Sequence, residues 1–480
     1  TSRVVLNTLG VEDYGIYNVV GGVVAMFGFF NSAMSSATQR FLSYELGKGD
    51  YVQLRKTFNA TQVIHIGIAL LIFLLAETIG LWFVRNYLVI PPERMNAAIW
   101  VYHFSILSFM VTIIQVPYNA TILAHERMDI YAYVSILEVV LKLLIVFMLT
   151  WITFDKLHLY AILYFFVVFV IASIYRIFTK KNFKESKFEL VRDKNLYKTL
   201  VNFSGWSMFG GIAYASKVQG VSIILNIFFG PTVNAARGIA NQVQGAVNNF
   251  VYNFQMAVNP QIVKSYASNE KEFMTSLIIR SSKFSFYLLF IIALPIIAEV
   301  DQVLMLWLKL VPDYASTFTV LSIVIILITS ASSPLNIAIQ ATGRIAVYQA
   351  VIGILLICIL PISYALFKAG YPPMITYYAT VLIEIIVLFF RLFFLKRMIQ
   401  FPVMLFIKEV VLKNIAIILI SLSLPFLLLD LMTENLMRLF VMVFATLIWS
   451  TTIIYFIGLN KLEKNMVIKL VKLSFKKLKI

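Results

Sequence analysis

Apolar runs of about 20 residues recur along the 480-residue chain, with short polar segments between them. Each run is long enough to cross roughly 30 Å of hydrocarbon as a helix. The pattern predicts an all-α polytopic membrane protein of about fourteen spans. The predicted spans are 1–9 (partial), 14–44, 58–84, 97–124, 131–153, 159–178, 199–228, 237–265, 277–308, 316–339, 347–368, 374–395, 412–430 and 438–459. The opening TSRVVLNTLG reads as the end of an apolar helix, so we expect an N-terminally truncated chain.

The eighth predicted span departs from this pattern, because nine of the residues 237–261 are Asn or Gln. At about 100° per residue, eight of these amides fall on one half of the helix, opposite an apolar arc. Bare amides are costly in hydrocarbon, so the polar half is expected to face other helices or a water-filled cavity. The amides assigned to a sugar path are Asn241, Gln244, Asn248, Asn249, Gln255 and Asn259.

Two further spans carry polar stripes. In the second span the stripe includes three residues assigned to the same sugar path, Asn31, Ser35 and Gln39. The seventh span contributes Ser204, Ser207, Gln219, Ser222 and Asn226. Three polar spans predict one polar cavity between two halves of the chain. Helix packing through small and polar residues is the alternative, since membrane bundles use such contacts widely.

Two internal matches support a division into halves. The stretch PYNATILAHERMDIYAY, from Pro117, matches PLNIAIQATGRIAVYQA, from Pro334, and aligns Ala124 with Ala341. A second match, in nearly the same register, pairs Gly10 with Gly230. The shift covers six spans, an even number, which predicts a parallel repeat. The predicted parts are an N-lobe 1–178, a basic cytoplasmic linker 179–198, a C-lobe 199–395, two additional spans 396–459, and a basic amphipathic cytoplasmic tail 460–480.

The net charge of +17 follows from membrane topology and does not require nucleic acid as a partner. Of the 40 Lys and Arg residues, 29 lie in alternate connecting segments. The positive-inside rule assigns those segments, and both termini, to the cytoplasm. One cysteine and four scattered histidines show no ligand spacing, so we expect no metal and no cofactor. No nucleophile constellation is present, and we expect no enzyme activity.

Three cations lie within or at the ends of spans and form a predicted ladder for an anion. Lys217 is near the centre of span 7, where a lysine costs roughly 2.5–3.5 kcal/mol. Arg237 is at the outer end of span 8, and Arg40 is toward the inner end of span 2. Snorkelling to the interfaces is the alternative for both arginines. On a straight helix Lys217 points away from the polar stripe of its own span, which weakens its assignment.

Two further sites are candidates for ion coupling. Glu138 and Lys142 are four residues apart near the centre of span 5, so they form either a self-neutralising pair or a coupling-ion site. Glu384 is close to the centre of span 12 and has no cation four residues away. It takes part in proton coupling or is simply protonated.

Five stretches together suggest a family: TSRVVLNTLGVEDYGIYNVVGG, TQRFLSYELGKGD, LAHERMDIYAYVSILEVVLKL, FGPTVNAARGIANQV and NPQIVKSYA. Through them the chain resembles bacterial polysaccharide flippases of the O-antigen (Wzx-like) type, in the multidrug/oligosaccharidyl-lipid/polysaccharide exporter superfamily. The resemblance implies two six-helix lobes forming a V around a cationic cavity, lined mainly by spans 1, 2, 7 and 8. It also implies that a substrate diphosphate is held by Lys217, Arg237, Arg40 and Arg3.

The function implied by the resemblance is flipping of undecaprenyl-diphosphate-linked oligosaccharide across the bacterial inner membrane by alternating access, for O-antigen or capsule synthesis. The expected partners are this substrate, membrane lipids, and a polysaccharide polymerase with its chain-length machinery. A cation-coupled multidrug exporter of the same superfamily is the alternative, although its cavity should favour carboxylates. A membrane glycosyltransferase or polymerase is a third possibility, but it needs large outer loops or an acidic catalytic constellation.

Overall fold

The computed structural model describes residues 28–88, 90–151, 155–308 and 311–465, together with the single positions Leu9, Asp13, Ile16, Tyr17, Val20, Gly21 and Val24. Arg3, most of predicted span 1 and the tail from residue 466 onward lie outside the described residues. The chain divides into two compact units, Thr1–Ile212 and Ala213–Ile480. We call them the N-terminal unit and the C-terminal unit.

The N-terminal unit is built from long helices. They are α1 Gly28–Lys48, α2 Tyr51–Leu75, α3 Leu81–Tyr87, α4 Met95–Ala124, α5 Met128–Trp151 and α6 Lys156–Asn182, and α7 Lys194–Ala267 begins here. Helix α4 packs against α1, α2 and α6 and forms the centre of the unit. Its Tyr102 is fully buried and donates a hydrogen bond of 2.6 Å to the Ala76 carbonyl. Gly80 lies against the same ring, where a side chain would collide with the tyrosine hydroxyl.

The C-terminal unit repeats this pattern and adds a hairpin. Its helices are α8 Lys271–Ala298, α9 Val300–Leu308, α10 Ala315–Ala341, α11 Ala346–Lys368, α12 Ile375–Ile399, α13 Val403–Phe406, α14 Lys413–Ser421, α15 Ser423–Leu431 and α16 Leu436–Ile453. Helix α10 packs between α8 and α12. We call residues 403–458 the C-terminal hairpin.

Eleven of the described helices are long and apolar enough to cross a membrane, and they coincide with eleven of the fourteen predicted spans. Of the remaining three, span 1 lies almost wholly outside the described residues and span 2 is described as a continuous helix from residue 28. Span 8 is helical, but it is too polar to be counted as a membrane span on hydropathy. The all-α membrane fold is confirmed.

The internal repeat appears in the backbone in the same register as in the sequence. Helices α4 and α10 end at Ala124 and Ala341, the two alanines that the first match aligns. The residues with positive φ after equivalent helices also pair, Glu126 with Gly343 and Gly49 with Asn269. Left-handed residues terminate helices because they redirect the chain after the last turn. Each unit therefore ends equivalent helices in the same way.

Gly230 separates predicted spans 7 and 8, which the structure joins in α7. Its φ of 77° and ψ of −173° lie outside the helical region and are readily adopted only by glycine. Pro231 follows and cannot donate a backbone hydrogen bond into the preceding turn. Helix α7 is therefore two helices, 194–229 and 231–267, that meet at a kink.

Two ion pairs fasten the C-terminal hairpin and the chain after it to the region of α8. Arg438 of α16 donates to Glu299, just after α8, at 2.9 Å. Lys283 of α8 lies 2.7 Å from Glu463, just beyond the hairpin. The C-terminal hairpin is therefore held to α8 by one contact at the start of α16 and one after the hairpin ends.

Candidate functional site

A polar cavity of about 580 Å³ lies within the C-terminal unit. All of its lining residues come from α7, α10, α11 and α12, between Tyr214 and Arg391. The charged residues of the lining are Lys217, Arg237, Glu384 and Arg391. Three cations and one carboxylate give the cavity a positive balance. Its volume is within the range of roughly 300–1,000 Å³ typical of small-molecule sites.

The amide stripe of 237–261 faces this cavity. The lining amides of this helix are Asn241, Gln244, Asn248 and Gln255. On the opposite arc, Val247 and Val251 are buried in the hydrophobic core. Asn249 and Asn259, which were assigned to the same path, lie on this helix but do not line the cavity. Four of the eight amides on the predicted polar half therefore line the cavity.

One of the lining amides is held by protein contacts. Gln255 donates to Ser285 Oγ at 3.0 Å and to the Ser330 carbonyl at 3.1 Å. Asn241 and Asn248 are exposed to the cavity, and their side chains make no hydrogen bond within the described part of the chain. Their amides are available to hydroxyl groups of a ligand, since each carries two donors and one acceptor oxygen.

Lys217 and Glu384 form an ion pair at the cavity wall. Lys217 Nζ lies 2.6 Å from Glu384 Oε1, and the two side chains are 11% and 5% exposed. The ring of Tyr214 lies 5.7 Å from the ammonium. Lys217 therefore lines the cavity, although a straight helix placed it away from the polar stripe. Its charge is neutralised by the carboxylate that the sequence left without a partner.

Arg237 is buried in the same cavity and forms no ion pair with a carboxylate of the described residues. Its side chain donates to Ser222 Oγ at 2.9 Å and to the Val218 carbonyl at 3.0 Å, and it lies over the ring of Tyr377. The residue is 8% exposed, and no Asp or Glu in the described residues forms an ion pair with it. A buried charge usually has a counter-charge. This arginine has only neutral acceptors, which leaves a full positive charge for a ligand.

Arg391 is the lining cation that sequence reasoning did not single out. The sequence counts it among the charges of a cytoplasmic segment, 391–413, that overlaps the end of predicted span 374–395, whereas the structure places it eight residues before the end of α12. It donates to Tyr348 OH at 3.2 Å and to Ser332 Oγ at 2.5 Å. The signal that could have found it is a spacing of seven along α12, from Tyr377 to Glu384 to Arg391, which puts all three on one face.

The predicted site residues of the N-terminal unit are not among the residues that line this cavity. Arg40 is 7% exposed and stacks on the rings of Phe41, Tyr44 and Phe203 at 4.6–5.2 Å. Ser35 and Gln39 are half-buried on the same helix, α1. Arg3 and the side chain of Asn31 lie outside the described residues. The ladder of Lys217, Arg237 and Arg40 stays a prediction.

Glu138 and Lys142 contact each other on α5. Lys142 Nζ lies 2.6 Å from Glu138 Oε1, and both side chains are about one-third exposed. The ammonium also lies 5.3 Å from the centre of the Tyr164 ring. The i,i+4 contact expected from the sequence is therefore present, and the proposed role in ion coupling stays a prediction.

Comparisons with known proteins agree with this architecture. The MatE family model matches residues 1–148 of the chain. No curated protein sequence matches it. The outward-facing conformation of a multidrug resistance MATE family transporter of the MOP superfamily matches with a TM-score of 0.70, at 12% identity, over 84% of this chain and 91% of that one. A MATE protein in the bent conformation matches with a TM-score of 0.70 at 12% identity, over 83% and 91%.

The fold is that of the MATE transporters. A MOP superfamily transporter from Pyrococcus furiosus shares it, with a TM-score of 0.67 at 12% identity, over 83% of this chain and 90% of that one. Reverse polarity of the binding pocket in that protein suggests a different function for it. At such identity the likeness carries the fold and not the substrate, so the Wzx-like flippase type stays a prediction.

Proposed function

We propose that the chain is an alternating-access membrane transporter whose substrate is anionic and rich in hydroxyls, as a lipid-diphosphate-linked oligosaccharide is. The observation that carries this proposal is Arg237, which is buried in a polar cavity and has no acidic partner among the residues that the structure describes. A phosphate or diphosphate supplies the missing counter-charge, and arginine binds it through a fork of N–H donors.

The amides of 231–267 support the sugar part of the proposal. Asn241, Gln244 and Asn248 line the same cavity as Arg237. An amide both donates and accepts, which suits hydroxyl groups that also do both. A hydrophobic cation offers few groups that could form hydrogen bonds with these three amides. The substrate therefore combines a phosphate group with polar, uncharged rings.

A cation-coupled multidrug exporter is the second candidate, and two observations favour it. Solved structures with this fold include a multidrug resistance transporter. Glu384 also provides one carboxylate inside the cavity, which a cationic drug or a coupling proton needs. The charge balance argues against a cationic substrate, because Lys217 already neutralises Glu384 and two arginines remain.

The same proposal places the chain in the bacterial inner membrane with both termini in the cytoplasm, next to the polymerase and chain-length machinery that consume its product. The positive-inside distribution of Lys and Arg supports this orientation. Labelling of single cysteines introduced at Lys187 and Glu434, in intact cells and in inside-out vesicles, tests it. Label reaching position 434 only in the inside-out vesicles would contradict the orientation.

Complementation tests the substrate. The full-length protein is expressed in a bacterium that lacks its O-antigen flippase, and surface polysaccharide is scored. We expect restoration by the unsubstituted chain and at least a tenfold loss with the double substitution Lys217→Ala and Arg237→Ala, because two cavity charges are removed. Full activity of the double variant would exclude the cationic cavity as the path. Efflux of ethidium in the same cells measures the multidrug alternative.

A further inference from the structure

Arg391 occupies a position that a simple interfacial arginine does not. It lies eight residues, or about 12 Å, before the end of α12. Its guanidinium donates to Ser332 of α10 and Tyr348 of α11. It also lines the polar cavity. Hydroxyl groups of two neighbouring helices therefore hold the charge at the cavity wall.

The hydrogen bonds around Arg391 leave most of its donors unused. Ser332 Oγ donates to the Thr329 carbonyl at 3.2 Å, and Tyr348 OH donates to Asn336 Oδ1 at 2.9 Å. Both hydroxyls therefore accept from the arginine with their lone pairs. A guanidinium has five N–H donors, of which these contacts use two. No carboxylate in the described residues pairs with it, so three donors and a full charge remain.

Asn336 adds donors at the same place. Its side-chain oxygen and Arg391 Nε both contact the Tyr348 hydroxyl oxygen, which brings the amide and the guanidinium together. The Asn336 NH₂ group makes no hydrogen bond within the described residues, and Ser333 lines the cavity beside it. Arginine with an amide and a hydroxyl is a donor set that matches the several acceptor oxygens of a phosphate.

This donor set is separate from Arg237. Tyr377, Glu384 and Arg391 follow one another at steps of seven residues on α12, each step about 10 Å. Arg237 lies over Tyr377 at one end of this row, and Lys217 contacts Glu384 in the middle. Arg391 therefore lies roughly 20 Å along the helix from the level of Arg237, with a neutral ion pair between them.

We propose that Arg391, Asn336 and Ser333 form a second phosphate-binding site, at the end of the cavity near the C-terminus of α12. The inference rests on the proposed function, since it adds an inner site for the same anionic substrate. A substrate passing along α12 exchanges its phosphate between two arginine sites, and the Lys217–Glu384 pair between them carries no net charge to trap it. The phosphate comes from a lipid-linked diphosphate or from a phospholipid headgroup.

The test is binding to the purified full-length protein in neutral detergent. Farnesyl diphosphate is the probe, inorganic pyrophosphate and phosphatidylglycerol are competitors, and farnesol is the uncharged control. We expect Arg391→Gln to lower the affinity of one class of sites at least tenfold, since a charge-assisted contact is lost. Arg391→Lys should restore part of it. Arg397→Gln, on the exposed surface near the end of the same helix, is the matched control and should bind like the unsubstituted chain.

The outcomes separate the possibilities. Competition by pyrophosphate supports a diphosphate ligand, and competition by phosphatidylglycerol alone supports the same site filled by a headgroup. Unchanged diphosphate binding by Arg391→Gln with a lowered Tm would overturn the inference, because Arg391 would then only tie three helices together. That result leaves the proposed function intact if Arg237→Gln still weakens binding. Absence of any binding to the unsubstituted chain would overturn both proposals.

Discussion

The C-terminal unit contains two buried Lys–Glu pairs that look alike in chemistry and differ in surroundings. Lys283 and Glu463 are each 1% exposed and are joined by contacts of 2.9 and 2.7 Å. Glu463 also accepts from the Asn460 backbone at 2.9 Å, while its own N–H donates to Asn460 Oδ1 at 2.9 Å. This reciprocal capping box begins the helix at the end of the described chain.

The second pair, Lys217 and Glu384, is held by fewer hydrogen bonds. A single contact of 2.6 Å joins the two side chains, and both face the polar cavity. Charges in low dielectric are costly unless their remaining donors and acceptors are satisfied. The pair at Lys283 meets this condition with protein groups alone, whereas the pair at Lys217 depends on what fills the cavity. We infer that the first pair stabilises the fold and the second serves the transport path.

The largest effect on stability is expected when the Lys283–Glu463 pair is lost. Glu463→Ala leaves the buried ammonium of Lys283 with only the Glu409 carboxylate, 3.9 Å away, so we expect the free energy of unfolding to fall by at most about 3–5 kcal/mol. Thermal unfolding in detergent, with pH and detergent fixed, measures it. The double substitution Lys283→Met and Glu463→Leu removes both charges and should recover most of the stability. An unchanged Tm in Glu463→Ala would contradict the structural role of this pair.

Breaking the Lys217–Glu384 pair should lower the stability less and should alter ligand binding. Glu384→Gln leaves Lys217 at the cavity wall, where its side chain is 11% exposed against 1% for Lys283, so we expect a smaller loss of stability than for Glu463→Ala. The freed ammonium should raise the affinity for farnesyl diphosphate about tenfold, because an added charged hydrogen bond contributes roughly 1.5–3 kcal/mol. Titration of both proteins with the probe measures this. Weaker binding by Glu384→Gln would show that the carboxylate itself contacts the ligand.

A third cluster of charges, in the N-terminal unit, has more exposed side chains than either pair. Arg94 donates to Asp13 at 2.8 Å and to Asp155 at 2.5 Å. Burial by itself raises the pKa of Asp155, but hydrogen bonds from Arg94 and His158 outweigh it and lower the pKa well below its ordinary value. Asp155 also caps α6 through the N–H groups of Leu157 and His158.

A depressed pKa in the folded state means that the Asp155 carboxylate stabilises the protein above its unfolded pKa of about 3.9, and that this contribution fades as the pH falls below that value. Asp155→Asn keeps the cap and removes the charge. We expect a loss of roughly 1 kcal/mol at pH 7 and a smaller difference from the unsubstituted chain near pH 3. Equal differences at both pH values would show that the loss does not come from the charge of Asp155.

The smallest effect is expected at Glu138 and Lys142, whose side chains are about one-third exposed. Replacing both by Gln removes a paired charge without leaving a partner behind. Such i,i+4 pairs contribute about 0.3–0.5 kcal/mol, so Tm should hardly change. The pH profile of transport should also be unaltered. A shifted profile would favour the coupling-ion role that the sequence left open.

The parts predictable from sequence are those that depend on local periodicity. Helical spacing alone sorts Asn241 and Val247 to different sides of 237–261, and four of the eight amides of the stripe line the cavity. The spans followed from their length and hydropathy. The Lys217–Glu384 contact joins residues far apart in the chain, so it needs tertiary packing that no local pattern contains.

Two features of the cavity could not be predicted from the sequence: the side of span 7 that lines it, and Arg391. Span 7 lines the cavity with Tyr214, Lys217 and Val221, which lie opposite its polar stripe, so the stripe did not indicate the side that faces the cavity. Arg391 was counted as cytoplasmic because the positive-inside rule assigns charges near span ends without regard to where the side chain points. In the structure, hydroxyls from two neighbouring helices hold it in the cavity.

The central claim is that the cationic cavity carries an anionic, sugar-bearing lipid. The most direct measurement is flipping of a fluorescent undecaprenyl-diphosphate-linked oligosaccharide in proteoliposomes, with ethidium transport followed in parallel. The account predicts flipping by the unsubstituted chain, a drop of at least tenfold in Arg237→Gln, and no effect of Arg397→Gln. Ethidium transport without any flipping, or equal flipping by Arg237→Gln, would contradict it.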